Sequence, residues 1–96
     1  MAIRLIVMDL DGTLLTSEKT VSDYSKSVLK RAMAKGVAVT VATGRMLLSA
    51  NYFGRIIEAN APIISCNGAL VQALDAKEPL FLRAFSPETV TELLTF

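Results

Sequence analysis

Residues 3–8 form an apolar run broken only by Arg4, and the run ends on Asp9. Such a run predicts a strand buried on both faces. Gly12 follows at once, and residues 10–20 are rich in Thr, Ser and Gly, so a loop is expected there. Tyr24, Val28 and Ala32 then recur at helical spacing, flanked by Leu29 and Met33. Ser22 is an N-cap residue, Asp23 suits the positive end of a helix dipole, and Gly36 supplies a left-handed stop. Together they predict a helix over 23–35. Residues 37–42 are β-branched and apolar on both faces, which predicts a second buried strand.

Thr43-Gly44-Arg45 turns the chain into a second helix. Its stripe is Met46, Ala50, Phe53 and Ile57, read as core, and its expected end is near Asn60, ahead of Pro62. Residues 63–65 read as a short third strand ending at Asn67-Gly68. Residues 69–73 and 79–84 are two more strand-like runs, joined by a hairpin turn over 75–78. Ser86 as N-cap, Pro87 and Glu88 open a last helix, within which the chain stops at Phe96. The order β-α-β-α-β implies parallel strands with right-handed crossovers. The expected fold class is α/β, a parallel sheet with flanking helices plus a β-hairpin.

Composition changes this picture little. Ninety-six residues hold at most one domain. A hydrophobic share of 52% and a mean hydropathy of +0.47 are apolar for a small independent domain, as if the chain were the core of something larger. The net charge of +1 gives no basic surface for nucleic acid, and the basic cluster over 26–35 is spaced as one solvated helix face. A single cysteine, Cys66, excludes an internal disulfide and reads as buried structure in a reducing compartment. Neither a signal peptide nor a run of the ~20 apolar residues of a membrane span is recognisable, so a cytoplasmic location without membrane contact is expected. With no histidine, any catalysis must use carboxylates, hydroxyls, amides and a hard cation.

In open parallel sheets ligands bind outside the carboxyl ends of the strands. The first strand ends in Asp9-Leu10-Asp11-Gly12-Thr13, the second in Thr43-Gly44-Arg45, the third in Ser65-Cys66-Asn67-Gly68. If the strands are parallel, Asp9, Thr43 and Asn67 converge on one rim. Asp9 and Asp11 have the spacing for a two-carboxylate task, one as nucleophile and the other moving protons. Both repel a phosphate dianion, so a divalent cation is needed, and carboxylate plus backbone oxygen suits Mg²⁺. Gly12 and Thr13 offer backbone N–H groups to phosphate oxygens, and Thr43 adds a hydroxyl at a helix start.

Asp9-Leu10-Asp11-Gly12-Thr13-Leu14 resembles the first motif of the haloacid dehalogenase-like (HAD) phosphohydrolases. Val41-Ala42-Thr43-Gly44-Arg45 resembles the second motif as found in the Cof-type branch, which includes many sugar phosphatases. Asn67-Gly68-Ala69 looks like the same branch, and the resemblance covers the whole chain in register. It implies that Asp9 becomes an aspartyl phosphate, that Asp11 protonates the leaving alcohol and then activates water, and that Thr43 holds the phosphoryl group. Mg²⁺ is implied between the Asp9 carboxylate and the Asp11 backbone carbonyl. Leu10, Gly12, Thr13 and Gly44 are implied around the phosphate, with Arg45 and Asn67 near a small phosphorylated substrate.

The family also has a later Lys, a late acidic pair and, in this branch, an α/β cap. Lys19, Lys26, Lys30, Lys35 and Lys77 fall in other segments, and no acidic cluster at a strand end follows residue 67. Residues 1–85 therefore read as part of a core domain and 86–96 as the start of a cap, with the 96 residues alone expected to be inactive or nearly so. An exposed sheet edge invites self-association.

Plainer readings stand beside these. Arg45 could be a surface residue of a first helical turn, Asn67-Gly68 is a common hairpin turn, and residues 17–19 read as a flexible loop, part of a flap over the site. The competing functions are a phosphotransferase or phosphomutase using the same residues, and a non-catalytic fragment. A phospho-acceptor signalling domain is disfavoured, because the later strand ends carry Thr43 and Asn67 rather than Asp.

Overall fold

The computed structural model describes residues 2–95; Met1 and Phe96, the expected stop of the last helix, lie outside them. The elements are β1 (Leu5–Met8), α1 (Asp23–Ala34), β2 (Ala38–Val41), α2 (Leu47–Ile56), β3 (Ile63–Ser65), β4 (Leu70–Gln72), β5 (Phe81–Leu82) and α3 (Pro87–Thr95). β1 pairs parallel with β2, from Leu5 opposite Ala38 to Met8 opposite Val41. A parallel bridge from Ala42 to Ile64 brings β3 alongside β2. β3, β4 and β5 then run antiparallel, so the hairpin extends the sheet rather than starting a new layer.

Local chemistry explains the boundaries. The Ser22 hydroxyl accepts from the Ser25 N–H at the start of α1, a cap worth about 1 kcal/mol. At its end Gly36, at φ +89°, donates to Met33 O while Val37 donates to Ala32 O. That pair of bonds needs the left-handed residue that glycine supplies cheaply. α2 stops earlier than expected, at Ile56, with Glu58 left-handed behind it. Asn60 then accepts from the Val39 N–H through Oδ1 and donates its own N–H to Val39 O, so the segment before Pro62 is bonded to β2.

Two expectations need correction. β1 is not buried on both faces. Ile6 and Met8 pack on the core, but Leu5 and Val7 are exposed at 52% and 43%. β1 is an edge strand and β2, with Val39, Thr40 and Val41 all buried, is the central one. The stripe of α2 is also one residue shorter. Ala50, Phe53 and Ile57 are buried, whereas Met46 is an extended N-cap residue and largely exposed. The extended backbone at Met46 takes its side chain off the helical period, whereas Ile57 just past the helix keeps it.

The loop after β1 is more ordered than its composition suggests. Leu14 donates to Asp9 O and Leu15 to Leu10 O, a wide turn that Gly12 permits at φ +80°. It drops Leu10, Leu14 and Leu15 into the core beside Leu29, Val39 and Ile63. α3 carries no buried residue. Among the described residues, no helix is long and apolar enough to cross a membrane.

Gly54 marks the tightest helix–sheet contact. A methyl group there would lie 2.8 Å from Ile63 Cδ1 and 3.2 Å from Leu74 Cδ2. Alanine gains about 1 kcal/mol of helix propensity over glycine. Ile63 is fully buried, however, and overpacking costs about 1–3 kcal/mol. Gly54→Ala is therefore expected to lose about 1 kcal/mol in urea unfolding; a gain would mean that Ile63 repacks freely.

Candidate functional site

The carboxyl ends of β1, β2 and β3 meet at one level because Ala42 and Thr43 bond in opposite directions. Ala42 donates to Met8 O at 2.8 Å and Thr43 to Ile64 O at 3.0 Å. A cleft of about 420 Å³ opens above them, within the usual range for small-molecule sites. Asp9, Thr43, Gly44, Asn67 and Gly68 line it.

Asp9 leaves β1 in extended conformation, and its Oδ1 accepts from the Leu10 N–H at 2.8 Å. That bond fixes one carboxylate oxygen and leaves the other for chemistry. Thr43 is buried, and its Oγ1 accepts from the Arg45 N–H at 3.0 Å, which sets the hydroxyl at the turn into α2. Cys66, Asn67 and Gly68 all have positive φ, at 52°, 55° and 94°. Such a run is costly for Cys66, which has a Cβ. Two bonds hold it in place: Cys66 N–H to Arg45 O at 2.9 Å, and Asn67 N–H to Thr43 O at 3.0 Å. Gly44 allows the close approach of this turn, since a Cβ there would sit 3.0 Å from Asn67 Oδ1.

Asp11 lies outside the lining of the cleft. Arg45 grips it as a fork, Nε to Oδ2 and Nη2 to Oδ1, both at 2.8 Å, and Lys19 Nζ reaches Oδ1 at 3.0 Å. The hydrogen bond from Arg45, then that from Lys19, holds the Asp11 carboxyl well below the usual carboxylate range. Asp11 in turn pushes Arg45 further above its ordinary value. Arg45 is braced by Nη1 donating to Ser49 Oγ at 2.9 Å and by the Phe53 ring, whose centroid is 5.1 Å from the guanidinium carbon.

Residues 6–96 match the haloacid dehalogenase-like hydrolase family. The chain belongs to this family. It is 38% identical over 80 residues to the pyridoxal phosphate phosphatase YbhA of Escherichia coli, covering 83% of the chain and 29% of that protein. It is 36% identical over 67 residues to the 5-amino-6-(5-phospho-D-ribitylamino)uracil phosphatase YcsE of Bacillus subtilis, covering 70% of the chain and 27% of that protein. A crystal structure of a haloacid dehalogenase-like hydrolase from Bacteroides thetaiotaomicron superposes with a TM-score of 0.86 at 29% identity, over 98% of this chain and 36% of that one. The HAD chain thus spans about a third of the length of these relatives. The Cof-type branch, named from the motifs at Thr43 and Asn67, agrees with these phosphatases.

The fold gathers Asp9, Thr43, Gly44 and Asn67 in one cleft and ties Asp11 to Arg45 beside it. Leu10 is fully buried, with its N–H given to Asp9 and its carbonyl accepting from the Leu15 N–H. Thr13 lines a separate hollow against α1, with Tyr24 and Val28. Asn67-Gly68 is both the turn from β3 to β4 and a wall of the cleft. Ser49 was not legible as a site residue, and Lys19 was expected only as part of a flexible flap over 17–19, not as a partner of Asp11. Lys19 sits at φ +62° in a tight turn closed by Thr16 and Thr20, and Ser49 lies one helical turn beyond Arg45.

For Mg²⁺ the Asp9 carboxylate and the Asp11 carbonyl are the right hard oxygens, but an octahedral site needs about six ligands. Among the described residues no group of three His, Cys, Asp or Glu side chains gathers to hold a metal. The described residues present part of a donor set.

A depressed carboxyl pKa contributes stability that is complete above the unfolded value, near pH ~4, and is lost as pH falls through the folded value. The Asp11 carboxyl carbon signal should therefore keep its ionised position until the pH is well below the usual carboxylate range. In Arg45→Gln it is expected to titrate much nearer the ordinary range. An unchanged Asp11 titration curve in that variant would show that the fork is not formed in solution.

Proposed function

We propose that this chain carries the nucleophile side of a phosphohydrolase that cleaves small phosphorylated metabolites, sugar phosphates among them, in the cytoplasm. The observation that carries the reading is Asp9 in the cleft with one oxygen pinned by Leu10 N–H, opposite the Thr43 hydroxyl and the Asn67 wall. The two similar phosphatases are named for pyridoxal phosphate and for a phosphoribitylamino uracil, both phosphorylated small molecules, which supports that substrate class.

In the proposed reaction the free Asp9 oxygen attacks phosphorus. The bond from phosphorus to the leaving oxygen breaks, and that oxygen takes a proton from Asp11, which must enter the step protonated and so away from the Arg45 fork that keeps it ionised. Water then attacks the aspartyl phosphate, gives its proton to Asp11, and releases inorganic phosphate and the Asp9 carboxylate. Thr43 Oγ1 and the oriented N–H groups of the Gly12 turn steady the transferring oxygens. A bound Mg²⁺, held in part by Asp9 and the Asp11 carbonyl, would offset the charge that phosphate and nucleophile bring together. A sugar hydroxyl in place of water would make the same residues a phosphotransferase.

The protein that carries this segment at the full length of its relatives is expected to hydrolyse p-nitrophenyl phosphate with Mg²⁺, and Asp9→Asn to lower kcat by at least ~10³-fold. The 96 residues alone are expected to stay near background, since losing one charge-stabilising group costs about 10²–10³ in rate. Full activity in Asp9→Asn would end the nucleophile assignment.

We also propose that the 96 residues self-associate through β1. It is an edge strand, and its outward Leu5 and Val7, with the exposed Ile3 before them, add an apolar face beside the open edge. Sedimentation should show association that rises with concentration and falls in Leu5→Lys with Val7→Lys. A clean monomer at all concentrations would refute it.

A further inference from the structure

Arg45 follows the cleft residues Thr43 and Gly44 and holds the Asp11 carboxylate. Its backbone braces residues of the cleft wall: the N–H reaches Thr43 Oγ1, and the carbonyl accepts from Cys66 N–H. Its guanidinium points elsewhere. Nε and Nη2 are given to Asp11 and Nη1 to Ser49, with the buried Phe53 ring beneath. Neither Arg45 nor Asp11 lines the cleft. The guanidinium fork fits a carboxylate and a phosphate equally well, but it cannot serve both with the same two nitrogens.

We infer that Arg45 is a positioning residue for which Asp11 and a bound phosphate group compete. In the state described, the fork holds the Asp11 carboxylate outside the cleft. A phosphate entering beside Thr43 takes over the fork, and Asp11 is released to turn toward Asp9. The inference rests on reading the cleft as a phosphate site.

The strengths permit such an exchange. Asp11 is half exposed and Lys19 more so, so the Lys19 pair is worth little, and the bidentate fork from the less exposed Arg45 is the bond a phosphate must replace in kind. Once Arg45 leaves, Lys19 is a single flexible contact from a short turn. Ser49 and Phe53 keep the guanidinium near the rim while its partner changes. The proton donor would then reach the cleft only when a phosphate is present, which suppresses idle chemistry at Asp9.

A double-mutant cycle with inorganic phosphate tests this in the 96-residue chain, read by the Gly44 and Asn67 amide signals and the Arg45 Nε–H resonance. Phosphate should shift all three. Asp11→Asn frees the fork and should tighten phosphate binding about tenfold, by removing the competitor. In an Arg45→Gln background the same substitution should change affinity less than about twofold. Arg45→Lys, which keeps the charge but not the fork, should behave like Arg45→Gln.

A tenfold gain from Asp11→Asn in every background would mean simple charge repulsion and would overturn the exchange, while leaving the phosphate site intact. Phosphate shifts at Gly44 and Asn67 with none at Arg45 Nε–H would also overturn it. No shift at Gly44 or Asn67 in any variant would remove the phosphate reading and the inference together.

Discussion

Two neighbouring peptide groups, those of Ala42 and Thr43, hold the site together. One donates to Met8 on one side and the other to Ile64 on the opposite side. Successive N–H groups of a strand point to opposite edges, so a single step of β2 fixes the levels of both neighbours. Asp9 follows Met8, Thr43 is itself the donor, and Asn67 lies three residues past Ile64. The cleft is the consequence of this registry. Leu10, Val39, Val41 and Ile63, all fully buried, hold the strands in it from below.

Above that level the site is built mainly from backbone. The Leu10 N–H orients Asp9, the Arg45 N–H orients Thr43, and the Arg45 and Thr43 carbonyls secure the turn of Cys66 and Asn67. Three left-handed residues in succession are unfavourable on their own. They persist because the two bonds to β2's end determine their geometry. The reward is an amide side chain brought close to the Gly44 backbone, where a larger residue would meet Asn67 Oδ1. Strain in the third strand end thus narrows the cleft opened by the second.

Much of this was legible in the chain, and what was not has identifiable causes. Ser22, Gly36 and Ser86 declared their helix ends because capping is local chemistry. The strand ends declared the rim because polar residues abruptly follow apolar runs. The run at residues 3–8 overstated burial, since hydrophobicity records what a face can bury, not what lies against it, and Leu5 and Val7 are exposed. The stripe overran at Met46 because periodicity carries no mark of the cap. The partner of Arg45 was out of reach: Asp11 is 34 positions away, joined only by the fold.

That partnership settles the electrostatics of the rim. Asp9 and Asp11 bring two negative charges, Arg45 and Lys19 two positive ones, and both cations are committed to Asp11. A phosphate dianion entering the cleft meets Asp9 with no surplus positive charge from these four side chains. Oriented N–H groups supply only partial charges. For Asp9 to approach phosphorus as proposed, either a cation must join it or a committed one must be released. A hard metal ion held in part by the Asp9 carboxylate and the Asp11 carbonyl would supply the first, and the proposed exchange of Arg45 would supply the second. The two remedies reinforce one another. Each would lower the repulsion that the other must overcome, the metal at Asp9 and the exchange at the Asp11 carboxylate.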